Sequence, residues 1–119
     1  MKPLKHTNKV RVCTYLKPDC QQLIDSLALE LNKTASAAIA LIIEQHKLIS
    51  ERYPSVIYQA SLEKFSDIPG YKLYQIYIDY DLACYVKEIA DTKNLSESEA
   101  TNSMIREWHL INSKYHDKT

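Results

Sequence analysis

The chain has one glycine, Gly70, and three cysteines, Cys13, Cys20 and Cys84, in 119 residues. A single glycine leaves no Gly-rich loop to cradle phosphates, which removes the common nucleotide-enzyme motifs. Three cysteines without CxxC spacing argue against a disulfide framework or a zinc site and fit a reducing cytosol. A cytoplasmic location without a cofactor is therefore the expectation. No apolar run approaches the ~18 residues of a membrane span; the longest, Ala35 to Ile43, is broken by Ser36. The N-terminus has no apolar stretch behind its lysines, so neither a secretory signal nor a membrane partner is expected. Net charge is missing as well, with 15 basic and 15 acidic residues.

The charge is unevenly spread. Residues 1–17 hold Lys2, Lys5, Lys9, Arg11 and Lys17 and no acid, a local excess of +5. All 15 acids fall in residues 18–119, against the remaining ten bases. A basic arm leading into a strand is a local electrostatic footprint for nucleic acid. For residues 1–8 alone, a solvated tail explains the charge equally well.

Residues 1–9 read as a flexible basic arm. From Val10 to Leu16 the side chains alternate: Val10, Val12, Thr14 and Leu16 on one side, Arg11, Cys13 and Tyr15 on the other. β-Branched residues at period two argue for a strand. Pro18-Asp19 then opens a helix, and Cys20, Leu23, Ile24, Leu27, Ala28 and Leu31 recur at helical spacing. Asn32-Lys33 closes it. Thr34 or Ser36 can cap a second helix with the stripe Ile39, Ile42, Ile43, His46, Ile49 and Tyr53, stopped by Pro54. Residues 54–71 read as a connection with room for one helical turn near Leu62 to Phe65. The pattern then returns over 72–116. A strand carries Leu73, Gln75 and Tyr77 on one side and Tyr74, Ile76 and Ile78 on the other. A helix with Leu82, Tyr85, Val86, Ile89 and Ala90 follows, ending at Asn94. Ser96 or Ser98 caps the last helix, with Glu99 placed for a capping box. Its stripe is Thr101, Met104, Ile105, Trp108, Ile111 and Tyr115.

The halves align at an offset of 62 without a gap. Between 12–53 and 74–115 ten of 42 positions are identical, among them Tyr15/Tyr77, Asp19/Asp81, Asn32/Asn94, Ser36/Ser98, Ile43/Ile105 and Tyr53/Tyr115. The apolar stripes coincide too, as at Leu16/Ile78, Ile24/Val86, Ile42/Met104 and His46/Trp108. The chain therefore reads as an internal duplication of one strand-helix-helix unit, 10–53 and 72–116. One unit of ~45 residues is too small for an adequate core, and its lone strand has unpaired edges. Two units solve both problems if their strands pair antiparallel over four helices. The fold class expected is α+β, mostly helical, in one compact domain. The connection of 18 residues spans ~60 Å if extended, so pairing within one chain and swapping between chains are both open.

A basic arm, an alternating strand ending in Leu16-Lys17-Pro18, a first helix, an Asn-containing turn and a Thr/Ser-capped second helix resemble the ribbon-helix-helix family of MetJ/Arc-type DNA-binding proteins. Two copies in one chain are similar to its tandem members, such as the TraY-type conjugation proteins. The resemblance covers 9–53 and 72–115. It implies a pseudo-dimeric monomer whose two-stranded antiparallel ribbon enters the major groove of double-stranded DNA. The base-contacting positions are then Arg11, Cys13, Tyr15, Leu73, Gln75 and Tyr77. The phosphate-contacting positions are Lys9, Lys17, Thr34, Ser36, Ser96 and Ser98, where helix N-termini and hydroxyls can hold an anion. The second strand departs from the pattern: it lacks a basic arm, and its outward Leu73 and Asp79 are poor for DNA.

Arg11 suits a guanine edge and Gln75 an adenine edge. Tyr15 and Tyr77 can meet DNA or pair with each other across the ribbon. Cys13 is small and gives clearance. His46 reads as a satisfied core histidine, and His109 and His116 lack a ligand cluster. Ser36 and Ser98 lie in no nucleophile-elbow pattern and are explained by capping. The expectation is a sequence-specific transcriptional repressor and not an enzyme. The alternative is a protein-interaction module with weak DNA binding, such as an antitoxin or a relaxosome-type accessory protein, with a protein partner.

Overall fold

The computed structural model describes residues 9–65 and 68–116, with side chains through Ser113. Lys2 and Lys5 of the basic arm, and the side chains of Tyr115 and His116, lie outside the described residues. Strand β1 (Lys9–Leu16) leads into α1 (Pro18–Leu31) and α2 (Ala35–Arg52). Helix α3 (Pro54–Ser61) follows, and then β2 (Lys72–Asp79), α4 (Tyr80–Lys93) and α5 (Glu97–His116). The fold is α+β and mostly helical, with one two-stranded antiparallel sheet. Among the described residues no single helix is long and apolar enough to cross a membrane.

The strands pair from Lys9 opposite Asp79 to Leu16 opposite Lys72. Cys13 stands opposite Gln75, a separation of 62 residues, which is the offset of the sequence repeat. One face of the ribbon buries Thr14, Leu16, Tyr74, Ile76 and Ile78, with Val10 and Val12 partly covered. Beneath it lie Ile39, Ile42 and Ile43 of α2 and Met104 and Ile105 of α5, none with accessible surface. Each such side chain contributes about 1.5–3 kcal/mol by leaving water. This core joins both halves of the chain.

Local chemistry sets the helix ends. Pro18 starts α1 at a position where a missing N–H costs nothing. Asn32 and Asn94 end α1 and α4 in the same left-handed conformation, φ 57° for both. Asparagine tolerates that region better than most residues. Thr34 caps α2 by accepting from the Ala37 N–H at 3.1 Å. Ser96 and Glu99 form the reciprocal capping box, at 3.1 and 2.9 Å. Helices α1 and α2 meet at 101° across the Asn32 turn.

The structure corrects the expected connection. Pro54 ends α2, yet it also occupies the first turn of α3, so the chain resumes as an eight-residue helix. The turn expected near Leu62 to Phe65 is not helical; Leu62 caps α3. Tyr53, expected on the α2 stripe, is 61% exposed because the chain leaves the helix there at φ −135°. Leu31, at the last position of α1, is exposed as well. Helix α3 packs against α2 and α5 and buries Ala60. Gly70 sits at φ +116° just before β2, in a region that side chains rarely adopt. A Cβ added there would stand 3.5 Å from Pro18 Cγ.

Candidate nucleic-acid interface

The strand alternation that buries one ribbon face exposes the other. Arg11, Cys13, Tyr15, Leu73, Gln75 and Tyr77 all lie on this outer face and are all exposed. The structure thus brings the six expected base-contacting residues together. They form three cross-strand pairs: Arg11 with Tyr77, Cys13 with Gln75, and Tyr15 with Leu73. Tyr15 and Tyr77 are therefore not cross-strand partners. They sit four residues apart along the ribbon, roughly 14 Å. Tyr15 instead meets the Tyr71 ring edge-on, with centroids 6.3 Å apart. Lys17 Nζ lies 4.5 Å from the centre of that Tyr71 ring and donates to the Ile68 carbonyl at 3.0 Å.

The six residues expected at phosphate occupy both flanks of the ribbon. Lys9 lies 3.8 Å from Asp79 across the strands, an exposed pair that solvent largely screens. Ser36 and Ser98 do not cap their helices, because Thr34 and Ser96 do. Their hydroxyls face the ribbon: Ser98 Oγ accepts from the Tyr15 N–H at 3.0 Å, and Ser36 Oγ from the Tyr77 N–H at 3.3 Å. Both strand edges are thereby tied to the first turn of α5 or α2, which limits pairing with foreign strands. A hydroxyl that accepts still has a proton to donate. Thr34 and Ser36 line a groove beside Tyr77, and Ser96 and Ser98 a groove beside Tyr15.

Three residues outside the expected set fix this geometry. Asn102 accepts from the Lys17 N–H at 2.9 Å and donates to the Tyr15 and Ser98 carbonyls at 2.9 and 2.7 Å. It welds the end of β1 to α5. Arg106 grips Asp19 with two nitrogens at 2.8 and 3.0 Å, joining α5 to α1. The guanidinium hydrogen bond holds the Asp19 carboxyl below the ordinary aspartate range. The signal that could have found Asn102 and Arg106 was mismatch within the repeat. Their counterparts at −62 are Ala40 and Glu44. A polar or cationic residue appearing in one copy alone marks a contact made once.

Away from the ribbon, α2 and α5 are held by two polar pairs at repeat-related positions. His46 Nε2 and Glu107 Oε1 are 2.7 Å apart, and Trp108 Nε1 donates to Gln45 Oε1 at 2.6 Å. The two pairs map onto each other at the offset of 62. The first is buried. His46 Nδ1 lies 2.7 Å from the Tyr85 hydroxyl, and Lys93 reaches the other Glu107 oxygen at 3.2 Å. A carboxylate only accepts, so the imidazole donates from Nε2, and Nδ1 shares a hydrogen bond with the Tyr85 hydroxyl. This is a core histidine with both ring nitrogens satisfied. Among the described residues no cluster of three metal-ligating side chains occurs.

No family model, curated protein or solved structure matches the chain.

Proposed function

We propose that the chain is a sequence-specific DNA-binding protein, a small transcriptional repressor, built as a ribbon-helix-helix pseudo-dimer within one polypeptide. The observation that carries this reading is the ribbon register. Cys13 opposite Gln75 means that repeat-equivalent residues meet at the centre of the sheet. The hydrogen bonds of Ser98 to Tyr15 and of Ser36 to Tyr77 are related by the same offset. Two equivalent units around a local two-fold match the two strands of a duplex. A two-stranded ribbon is narrow enough for the ~12 Å major groove. Arg11 and Gln75 supply the hydrogen-bonding ends, and the serine-bearing helix starts flank them toward phosphate.

Selection of bound sequences from random duplex DNA, at roughly 150 mM salt to suppress plain phosphate attraction, tests the reading. A defined motif is expected. Arg11→Ala and Gln75→Ala should each weaken specific binding by ~1–3 kcal/mol with folding intact. Unchanged binding by both variants would refute the site. A second reading, a protein-interaction module, is favoured by one observation. Helix α3 and the segment after it lie outside the aligned repeat and expose Tyr58, Leu62 and Phe65. A stoichiometric protein partner without salt-dependent DNA binding is the outcome that would select it.

A further inference from the structure

The outer face of the ribbon breaks the local two-fold in one direction. Applying the repeat offset of 62, Lys9 corresponds to Tyr71 and Arg11 to Leu73, while Tyr15 corresponds to Tyr77. One end of the face therefore carries Lys9, Arg11 and Tyr77. The other carries Tyr71, Leu73 and Tyr15, with Lys17 Nζ 4.5 Å from the centre of the Tyr71 ring. At the first end Arg11 and Lys9 are both cationic, with Lys9 also 3.8 Å from Asp79. At the second, Leu73 is 44% and Tyr71 68% exposed, and Tyr71 stacks edge-on with Tyr15. Gln75 lies between the ends, beside the small Cys13.

Resting on the DNA-binding reading above, we infer that the ribbon reads a directional site: guanine under Arg11, and thymine methyl groups under Leu73 and Tyr15. The chemistry of each end supports the pairing. A guanidinium fork matches the O6 and N7 acceptors of guanine, and an exposed apolar cluster matches the thymine methyl. Leu73 has no hydrogen-bonding group with which to read a guanine. Its solvent exposure is the kind that a methyl contact would relieve. Arg11 and Leu73 are four residues apart along the ribbon, roughly 14 Å at about 3.4 Å per residue. That spans about four base-pair steps of ~3.4 Å. The guanine and the thymine should therefore stand about four steps apart, with the Gln75 contact between them. A single chain would bind such a site in one orientation only.

The test combines sequence selection with base analogues and one variant. Wild-type protein should select a lopsided motif. Replacing the selected guanine by 7-deazaguanine, which lacks N7, should weaken binding by about fivefold or more. Replacing thymine by uracil at the other end, which removes one methyl, should weaken it about fourfold. Leu73→Arg places a guanidinium at the exposed position equivalent to Arg11 and should turn the motif into a near-palindrome with guanine at both ends. A palindromic wild-type motif, an unmoved motif with Leu73→Arg, or indifference to uracil overturns the directional site while DNA binding stands. No enriched sequence at all overturns the DNA-binding reading itself, and this inference with it.

Discussion

Replacing His46 by leucine removes the one side chain that bridges Tyr85 and Glu107 in the core. His46 is 1% exposed and Glu107 3%, so the carboxylate would be left buried with Lys93 as its remaining partner. Losing the hydrogen bond from His46 leaves the buried carboxylate one partner short, at about 1.5–3 kcal/mol. Glu107→Leu leaves a buried imidazole N–H without an acceptor, at about 1–3 kcal/mol. Independent effects would then sum to about 2.5–6 kcal/mol, a large share of the whole stability of a small domain, about 5–15 kcal/mol. The double variant His46→Leu/Glu107→Leu should cost far less. It removes both polar groups together and takes one partner from the Tyr85 hydroxyl, which keeps Ser50, at about 1 kcal/mol. Urea unfolding followed by circular dichroism and by Trp108 fluorescence measures all three variants. A further variant, Gln45→Leu, calibrates the repeat-related pair. It is uncharged and partly exposed, so about 1 kcal/mol is expected. Simple additivity of His46→Leu and Glu107→Leu, or a His46→Leu cost below about 1 kcal/mol, would refute the view that the network is a coupled buried unit.

Other consequences are readily measured. Thr14 is buried on the inner ribbon face, and among the described residues its hydroxyl has no hydrogen-bond partner; Thr14→Val should stabilise the protein by about 1 kcal/mol in the same unfolding assay. The Asp19 carboxyl titrates below its unfolded value because Arg106 holds its charged form. Its stabilising contribution is therefore complete above pH ~4 and is lost as pH falls through the lower folded value. The acid limb of a stability profile should flatten in Asp19→Asn, and an unchanged limb would count against the pair. Burial pushes the Cys20 thiol up to about 12, while Cys13 and Cys84 are exposed. A thiol reagent at pH 8 should modify two cysteines in the folded protein and the third only on unfolding; rapid modification of all three would show that the α1 core opens readily.

Much of this molecule is legible along the chain because periodicity and punctuation are local properties. Alternation from Val10 to Leu16 and from Tyr74 to Ile78 fixes which strand face can be buried, since successive side chains point to opposite sides. Pro18, Asn32, Thr34, Asn94 and Ser96 mark helix ends through backbone chemistry that needs no tertiary partner. The exposed set from Arg11 to Tyr77 follows from the same alternation. Tertiary structure decided the rest. Ser36 and Ser98 look like caps because hydroxyls near a helix start usually bond inward. Packing of each helix start against a strand edge offers them the Tyr77 and Tyr15 N–H groups instead. Tyr53 fits a helical stripe, but the turn into α3 after Pro54 leaves it exposed. The clamp of Asn102 on β1, the Asp19–Arg106 fork and the His46–Glu107 pair join residues 61 to 87 positions apart. No local pattern specifies such contacts, because they exist only once two helices and a ribbon have met at a particular distance.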